Sequence, residues 1–234
     1  HLIRSLMMLG SKLQAIDDTN DPFDVLEEVN EALGRLNSIT ANGDPSKASE
    51  LVAKMVEDRE RPLQIALGLP GIDECVSMAP GNVCIVGARP AVGKTAVALT
   101  TVRSVATAAH NVAFISLEMS GTQLMARLMA TLTGIDSNRI TINDLDEIDR
   151  EKMARASVEH GRWLDRIYID DRAILKSSEV FGLFARLKKR HGCEVVIVDY
   201  MQMMEGDGDT PVAEMTNISK RLKQAAKASY RCHS

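Results

Sequence analysis

Apolar positions along the chain fall into two regimes. From residue 1 to about 60 they recur at helical spacing, with Leu2, Ile3, Leu6, Leu9, Leu13 and Ile16 forming one stripe. A second helix is expected from Asp21-Pro22, an acid at the N-cap and a proline at the first helical position, with Phe23, Leu26, Val29, Leu33 and Leu36 on one side. The short DDTN connection predicts that these two helices form an antiparallel hairpin. After the turn-rich ITANGDPS the pattern predicts a third, isolated helix from Ser46 to about Glu57, with Leu51, Val52 and Met55 on one face. Its polar flanks leave that face to be buried either in its own domain or against a neighbouring subunit.

From Leu67 onward short apolar runs alternate with helical patterns, which predicts an α/β fold with a mainly parallel sheet. Strands are expected at Val83 to Val86, Val112 to Leu117, Arg166 to Ile169 and Glu194 to Val198. Helices are expected at roughly 94–109, 121–133, 145–160, 177–190 and 214–229. The basic run Arg186-Leu-Lys-Lys-Arg190 closes one of them, where cations complement the helix dipole, and reads as a solvated helix end. The segment Met204-Glu-Gly-Asp-Gly-Asp-Thr-Pro211 reads as a mobile acidic loop without phosphate-binding cations.

With 234 residues, 45% of them hydrophobic, the chain can bury a real core, so one domain plus an extension is expected. A net charge of −4 gives no global attraction for nucleic acid, so such binding needs a local patch or several subunits together. Aromatics at 3% argue against a base-stacking platform. Cys75, Cys84, Cys193 and Cys232 lack any C-x-x-C spacing, and Cys84 falls in an expected core strand, which predicts a reduced, intracellular, cytoplasmic protein. The opening LIRSLMMLG is short and interrupted by Arg4, so no membrane partner is expected.

The chemistry centres on Val83-Cys-Ile-Val-Gly87-Ala88-Arg89-Pro90-Ala91-Val92-Gly93-Lys94-Thr95, an apolar run, a small-residue loop and the start of a helical pattern. A helix N-terminus offers unpaired N–H groups and the positive end of the macrodipole to a polyphosphate. Gly93 admits close backbone approach, Lys94 can reach the β/γ-phosphates, and the Thr95 hydroxyl can ligate Mg²⁺. The first glycine of G-x-x-x-x-G-K-[ST] is replaced by Ala88, with Gly87 one place early. The loosened pattern arises by chance in about 2 of 100 chains of this length, so it is the flanking strand and helix that disfavour an unrelated Gly/Pro turn.

Two further strands end in acids, and ligands of open α/β sheets lie at the strands' carboxyl ends. Asp199, closing Glu194-Val-Val-Ile-Val, is placed to hold Mg²⁺ beside Thr95; the bland alternative is an acid in a turn. Glu118, after Phe114-Ile-Ser-Leu, is the candidate general base for the attacking water, or else a dipole partner in the first turn of the next helix. Gln202 is a candidate sensor of the γ-phosphate or the water, with an ordinary surface glutamine as the alternative.

Residues 87–95, Ser116-Leu-Glu-Met-Ser120, Ile169-Asp-Asp171 and Val198-Asp-Tyr-Met-Gln202 resemble the successive motifs of DnaB-type replicative helicases, hexameric motors of RecA-like fold. Alanine in place of the first glycine is a habit of that family. The resemblance implies a RecA-like P-loop NTPase domain at 67–234, a linker with a docking helix at 41–66, and at 1–40 the helical hairpin that ends the family's N-terminal domain. It implies Lys94 and Thr95 as phosphate and Mg²⁺ ligands, Glu118 as the catalytic glutamate, Asp199 as the Walker B aspartate and Gln202 as the sensor. The implied activity is ATP-dependent unwinding of duplex DNA by a homo-hexamer that translocates on single-stranded DNA, with helicase loader and primase as further partners. In the family a further core strand, an arginine finger and a DNA-binding loop follow the position of Ser234, which predicts that the chain is part of a longer protein. The alternatives are a RecA-like ATPase in recombination or regulation, and a nucleotide-binding assembly fragment without turnover.

Overall fold

The computed structural model describes residue 10 and residues 47–57, 65–76, 78–89, 91–206 and 208–231. The expected hairpin of residues 1–38 lies outside the described residues apart from residue 10. Helix α1 (Ala48–Glu57) occupies the place of the third expected helix, and its Val52 and Val56 are exposed. Next come a short helix α2 (Pro70–Asp73), α3 (Lys94–Thr107), strand β1 (Val112–Ser116), α4 (Gly121–Thr133), α5 (Ser137–Thr141) and α6 (Glu147–Leu164). The chain continues through β2 (Ile167–Asp170), a 3₁₀ turn at Ser177–Glu179, α7 (Val180–His191), β3 (Val195–Asp199), a second 3₁₀ turn at Met201–Met203 and α8 (Pro211–Arg231).

The three strands form a parallel sheet in the order β2-β1-β3. All five residues of central β1 are buried. Because strand side chains alternate in direction, its two faces feed two cores. Ala113 and Ile115 pack with Leu183, Phe184 and Leu187 of α7 and with Ile218 and Leu222 of α8. Val112 and Phe114 pack with Leu99, Val102 and Val105 of α3 and with Leu124 of α4. The result is a helix–sheet–helix sandwich, and full burial of each large apolar side chain contributes about 1.5–3 kcal/mol. An apolar run without polar alternation is what such a doubly covered strand requires.

The expected strand at Val83 to Val86 does not form. Residues 82–89 have no regular structure, and Ile85 and Val86 are 63% and 52% exposed. Among the described residues β3 is paired along one edge only, with β1, and none forms a ladder with 83–86. A strand exists only where a neighbour accepts its N–H and C=O groups, and an apolar run in the sequence does not reveal whether that neighbour is there. The segment is instead tethered just upstream, where Lys223 Nζ of α8 donates to Gly81 O (2.9 Å) and Asn82 Oδ1 (3.1 Å).

Cys84 is therefore exposed, contrary to the core placement expected of it, as is Cys75. Cys193 is buried beneath α7, and burial pushes its thiol up to about 11. Since the thiolate is the reactive form, alkylation at pH 8 followed by peptide mapping should label Cys75 and Cys84 and spare Cys193 until the chain is unfolded.

The segment after β3, expected to be a mobile loop, makes contacts on both of its sides. Glu205 N–H donates to Leu175 O (3.0 Å), and its own carbonyl accepts from Ser177 N–H (2.7 Å). Gly206 N–H donates to Glu214 Oε1 of α8 (3.0 Å). A Cβ on Gly208 would lie 2.5 Å from Glu214 N, so this stretch lies flat on the first turn of α8. Glycine is there for contact and not for backbone freedom, since neither Gly206 nor Gly208 has a positive φ.

Candidate functional site

The loop after residue 86 reaches α3 through Ala91 (φ 61°) and Gly93 (φ 107°), both in the left-handed region. Gly93 is the N-cap of α3. A Cβ there would meet only Ala96 Cβ at 3.9 Å, so the backbone angle demands glycine and crowding does not. Lys94 and Thr95 thus open α3, with its first N–H groups turned toward the loop. Gly87, Ala88, Arg89, Ala91 and Val92 are exposed around it, while Pro90 lies outside the described residues.

The structure brings the two candidate metal ligands together. Thr95 Oγ1 donates to Asp199 Oδ2 at 2.7 Å, across 104 positions of sequence. Asp199 ends β3 and is buried, so its carboxylate is held by the sheet at the rim where the loop arrives. Next to it, Lys94 Nζ sits 4.1 Å from the centroid of the Tyr200 ring, a cation–π contact that sequence reasoning did not assign. Gln202 lies on the 3₁₀ turn just beyond and is exposed.

Glu118 occupies the bend between β1 and α4, exposed, two residues ahead of the N-cap Ser120. It is therefore not in the first turn of that helix. β1 and β3 are neighbours with Ser116 opposite Asp199, and Leu117 N–H donates to Asp199 O at 2.9 Å. Glu118 and Asp199 consequently stand on the same carboxyl rim of the sheet.

That bend is held by groups that the sequence did not single out. Ser116, 2% exposed, donates through Oγ to Met119 O (2.6 Å) and accepts from Met119 N–H (3.2 Å). Ser120 and Gln123 close a capping box on α4. Asp171, following β2, accepts from Gly121 N–H at 2.9 Å. A polar residue ending an otherwise apolar strand was the legible trace of Ser116; for Asp171 the double acid Asp170-Asp171 was the trace.

The first acid of that pair serves a different purpose. Asp170 takes a two-pronged contact from Arg172, Nε to Oδ1 at 2.9 Å and an Nη to Oδ2 at 2.6 Å. The Arg172 side-chain hydrogen bonds hold the Asp170 carboxyl below the usual aspartate range and raise the guanidinium. A lowered folded-state pKa means that the contribution is present above the unfolded value near 3.8 and is lost as pH falls through the folded value. In urea unfolding, Arg172→Met should therefore cost most stability above about pH 5, and the gap to wild type should close as pH drops below about 4.

Mg²⁺ takes hard oxygen ligands and usually keeps several waters, binding through one or two carboxylates together with substrate phosphates. The side-by-side Thr95 hydroxyl and Asp199 carboxylate fit that requirement. No cluster of three or more His, Cys, Asp or Glu side chains that could hold a metal ion occurs among the described residues. No helix among the described residues is long and apolar enough to cross a membrane.

Comparison with known proteins bears on this geometry. Residues 65–230 match the family model of the DnaB-like helicase C-terminal domain. The replicative DNA helicase DnaC of Bacillus subtilis is 36% identical over 171 residues, covering 68% of this chain and 37% of that protein. The replicative DNA helicase DnaB of Geobacillus stearothermophilus is 35% identical over the same length and coverage. The chain thus spans little more than a third of the length of these curated relatives. Among solved structures, one ATPase domain superposes with a TM-score of 0.66 at 26% identity, over 78% of this chain and 68% of that one. A DnaB-like replicative helicase, solved in a study of its interactions with primase, gives a TM-score of 0.68 over 97% of this chain and 53% of that one. At 22% identity the latter likeness carries the fold, which is the RecA-like one that the motifs imply.

Proposed function

The chain belongs to the DnaB-like helicase C-terminal domain family, and from that premise we propose that it is the motor part of an ATP-driven replicative DNA helicase. The observation that carries this is the 2.7 Å contact of Thr95 with Asp199, which joins the phosphate loop to the end of β3. In this reading the α3 N-terminus and residues 87–95 hold the triphosphate, with Lys94 on the β- and γ-phosphates. Thr95 and Asp199 hold Mg²⁺, which when bound neutralises charge on the phosphates. Glu118 accepts a proton from the attacking water, and its place on the rim beside Asp199 supports that role. Gln202, next to the same rim, reports on the γ-phosphate. Tyr200 keeps the Lys94 ammonium on the Asp199 side of the loop.

The proposed assembly is a homo-hexamer with nucleotide between subunits, moving on single-stranded DNA, with a loader and primase as further partners. The primase partner rests on the DnaB-like relative whose interactions with primase were studied. The same reading divides the chain into the end of an N-terminal domain at 1–40, a linker at 41–66 and the ATPase domain from 67. The family match beginning at residue 65 and the exposed Val52 and Val56 of α1 support this division. Cys75, Cys84 and Cys193, all without disulfides, support a cytoplasmic setting. Displacement of a labelled strand from a forked DNA duplex in the presence of Mg·ATP tests the proposal. ATP-dependent displacement is expected; ATP hydrolysis without any displacement would favour a RecA-like ATPase of another kind.

A further inference from the structure

We infer that Ser116 is a positioning residue for hydrolysis, fixing the bend that carries Glu118; this rests on the reading of Glu118 as the base. Ser116 is the last residue of β1, and the strand ladder sets it opposite Asp199. A buried hydroxyl at the end of an apolar strand needs partners, and Ser116 finds both in one residue, donating to Met119 O and accepting from Met119 N–H. That pair of bonds closes a ring of four residues in which Glu118 is the third. The exposed Glu118 side chain makes no hydrogen bond of its own among the described residues, so its carboxylate is restrained there only through the backbone beneath it.

Both ends of the bend are tied to other parts of the site. On the strand side, Leu117 N–H donates to Asp199 O, which links the bend to the proposed metal ligand. On the helix side, Gly121 N–H donates to Asp171, and a Cβ on Gly121 would come within 3.2 Å of Ile169 Cγ2, so α4 starts pressed against the end of β2. Loss of the Ser116 hydroxyl leaves both backbone groups of Met119 without their partner while the strand and the helix stay in place. The freed motion is therefore confined to Leu117, Glu118 and Met119. A displacement of about 1 Å of a catalytic group costs on the order of 10²-fold in rate.

The test uses steady-state ATP hydrolysis and single-turnover hydrolysis by the full chain with Mg·ATP, for Ser116→Ala, Glu118→Gln and the double variant. Ser116→Ala should lower kcat by about tenfold or more with KM for ATP within about twofold of wild type. In the Glu118→Gln background it should leave the residual single-turnover rate unchanged, because its effect runs through that carboxylate. Should Ser116→Ala fail to fold, Asp171→Ala loosens the other end of the bend and is read in the same way. If Glu118→Gln stops turnover while Ser116→Ala turns over at the wild-type rate, the inference is wrong and the role of Glu118 stands. An equal fractional loss in both backgrounds would also overturn it, by making Ser116 merely structural. Full turnover by Glu118→Gln would remove the reading of the base and this inference with it.

Discussion

Glu118→Gln should bind Mg·ATP as wild type does and hydrolyse it roughly 10²–10⁴-fold more slowly, the range that a positioned general base supplies. The amide keeps the size and much of the hydrogen-bonding shape of the carboxylate but cannot take a proton. Among the described residues nothing pairs with that charge: Glu118 is exposed and lies outside the first turn of α4, whose N-terminus is already capped by Ser120, Gln123 and Asp171. Loss of turnover can therefore be separated from loss of structure by comparing nucleotide affinity and the melting temperature of the variant with those of wild type. Retained hydrolysis would move the base to another residue.

Lys94→Ala should weaken nucleotide binding by roughly 10- to 150-fold, the equivalent of about 1.5–3 kcal/mol for hydrogen bonds to a charged group. The helix N-terminus remains and keeps a part of the phosphate affinity. The folded state loses the cation–π contact between half-buried Lys94 and Tyr200, worth about 0.5–2 kcal/mol, so stability should change less than affinity. Titration with a fluorescent ATP analogue, beside thermal unfolding, checks both halves of this expectation. Unchanged affinity would mean that Lys94 remains directed at Tyr200 and does not reach the phosphates.

The regular parts of the fold were legible because their signals are local. A run such as Val112–Ser116, four apolar residues closed by a serine, is long enough for a strand, and the stretches from Lys94 and Gly121 carry helical spacing and clear starts. The candidate site was legible for a related reason: acids that end parallel strands must gather on one rim, and Asp199 accordingly meets Thr95. Residues 83–86 show where this logic stops. Their composition is that of a strand, yet pairing is decided by a partner elsewhere, and the ladder of β3 on its free side has none among the described residues. The contacts of the loop after β3 were not legible either, because its glycine and acid composition gives no sign that Gly208 is packed on Glu214 or that Glu205 is bridged to the segment before α7. Ser116 and Tyr200 were present in the quoted motifs, but their use depends on distances between side chains that no spacing encodes.

The most direct test of the motor assignment is the rate of ATP hydrolysis by this chain with and without single-stranded DNA. Hydrolysis that depends on Mg²⁺ and rises when single-stranded DNA is added is the predicted result, since a translocating motor must couple turnover to its track. Hydrolysis indifferent to DNA, or nucleotide binding with no turnover under either condition, would contradict the motor reading for this chain and leave the Thr95–Asp199 site as a nucleotide-binding one alone.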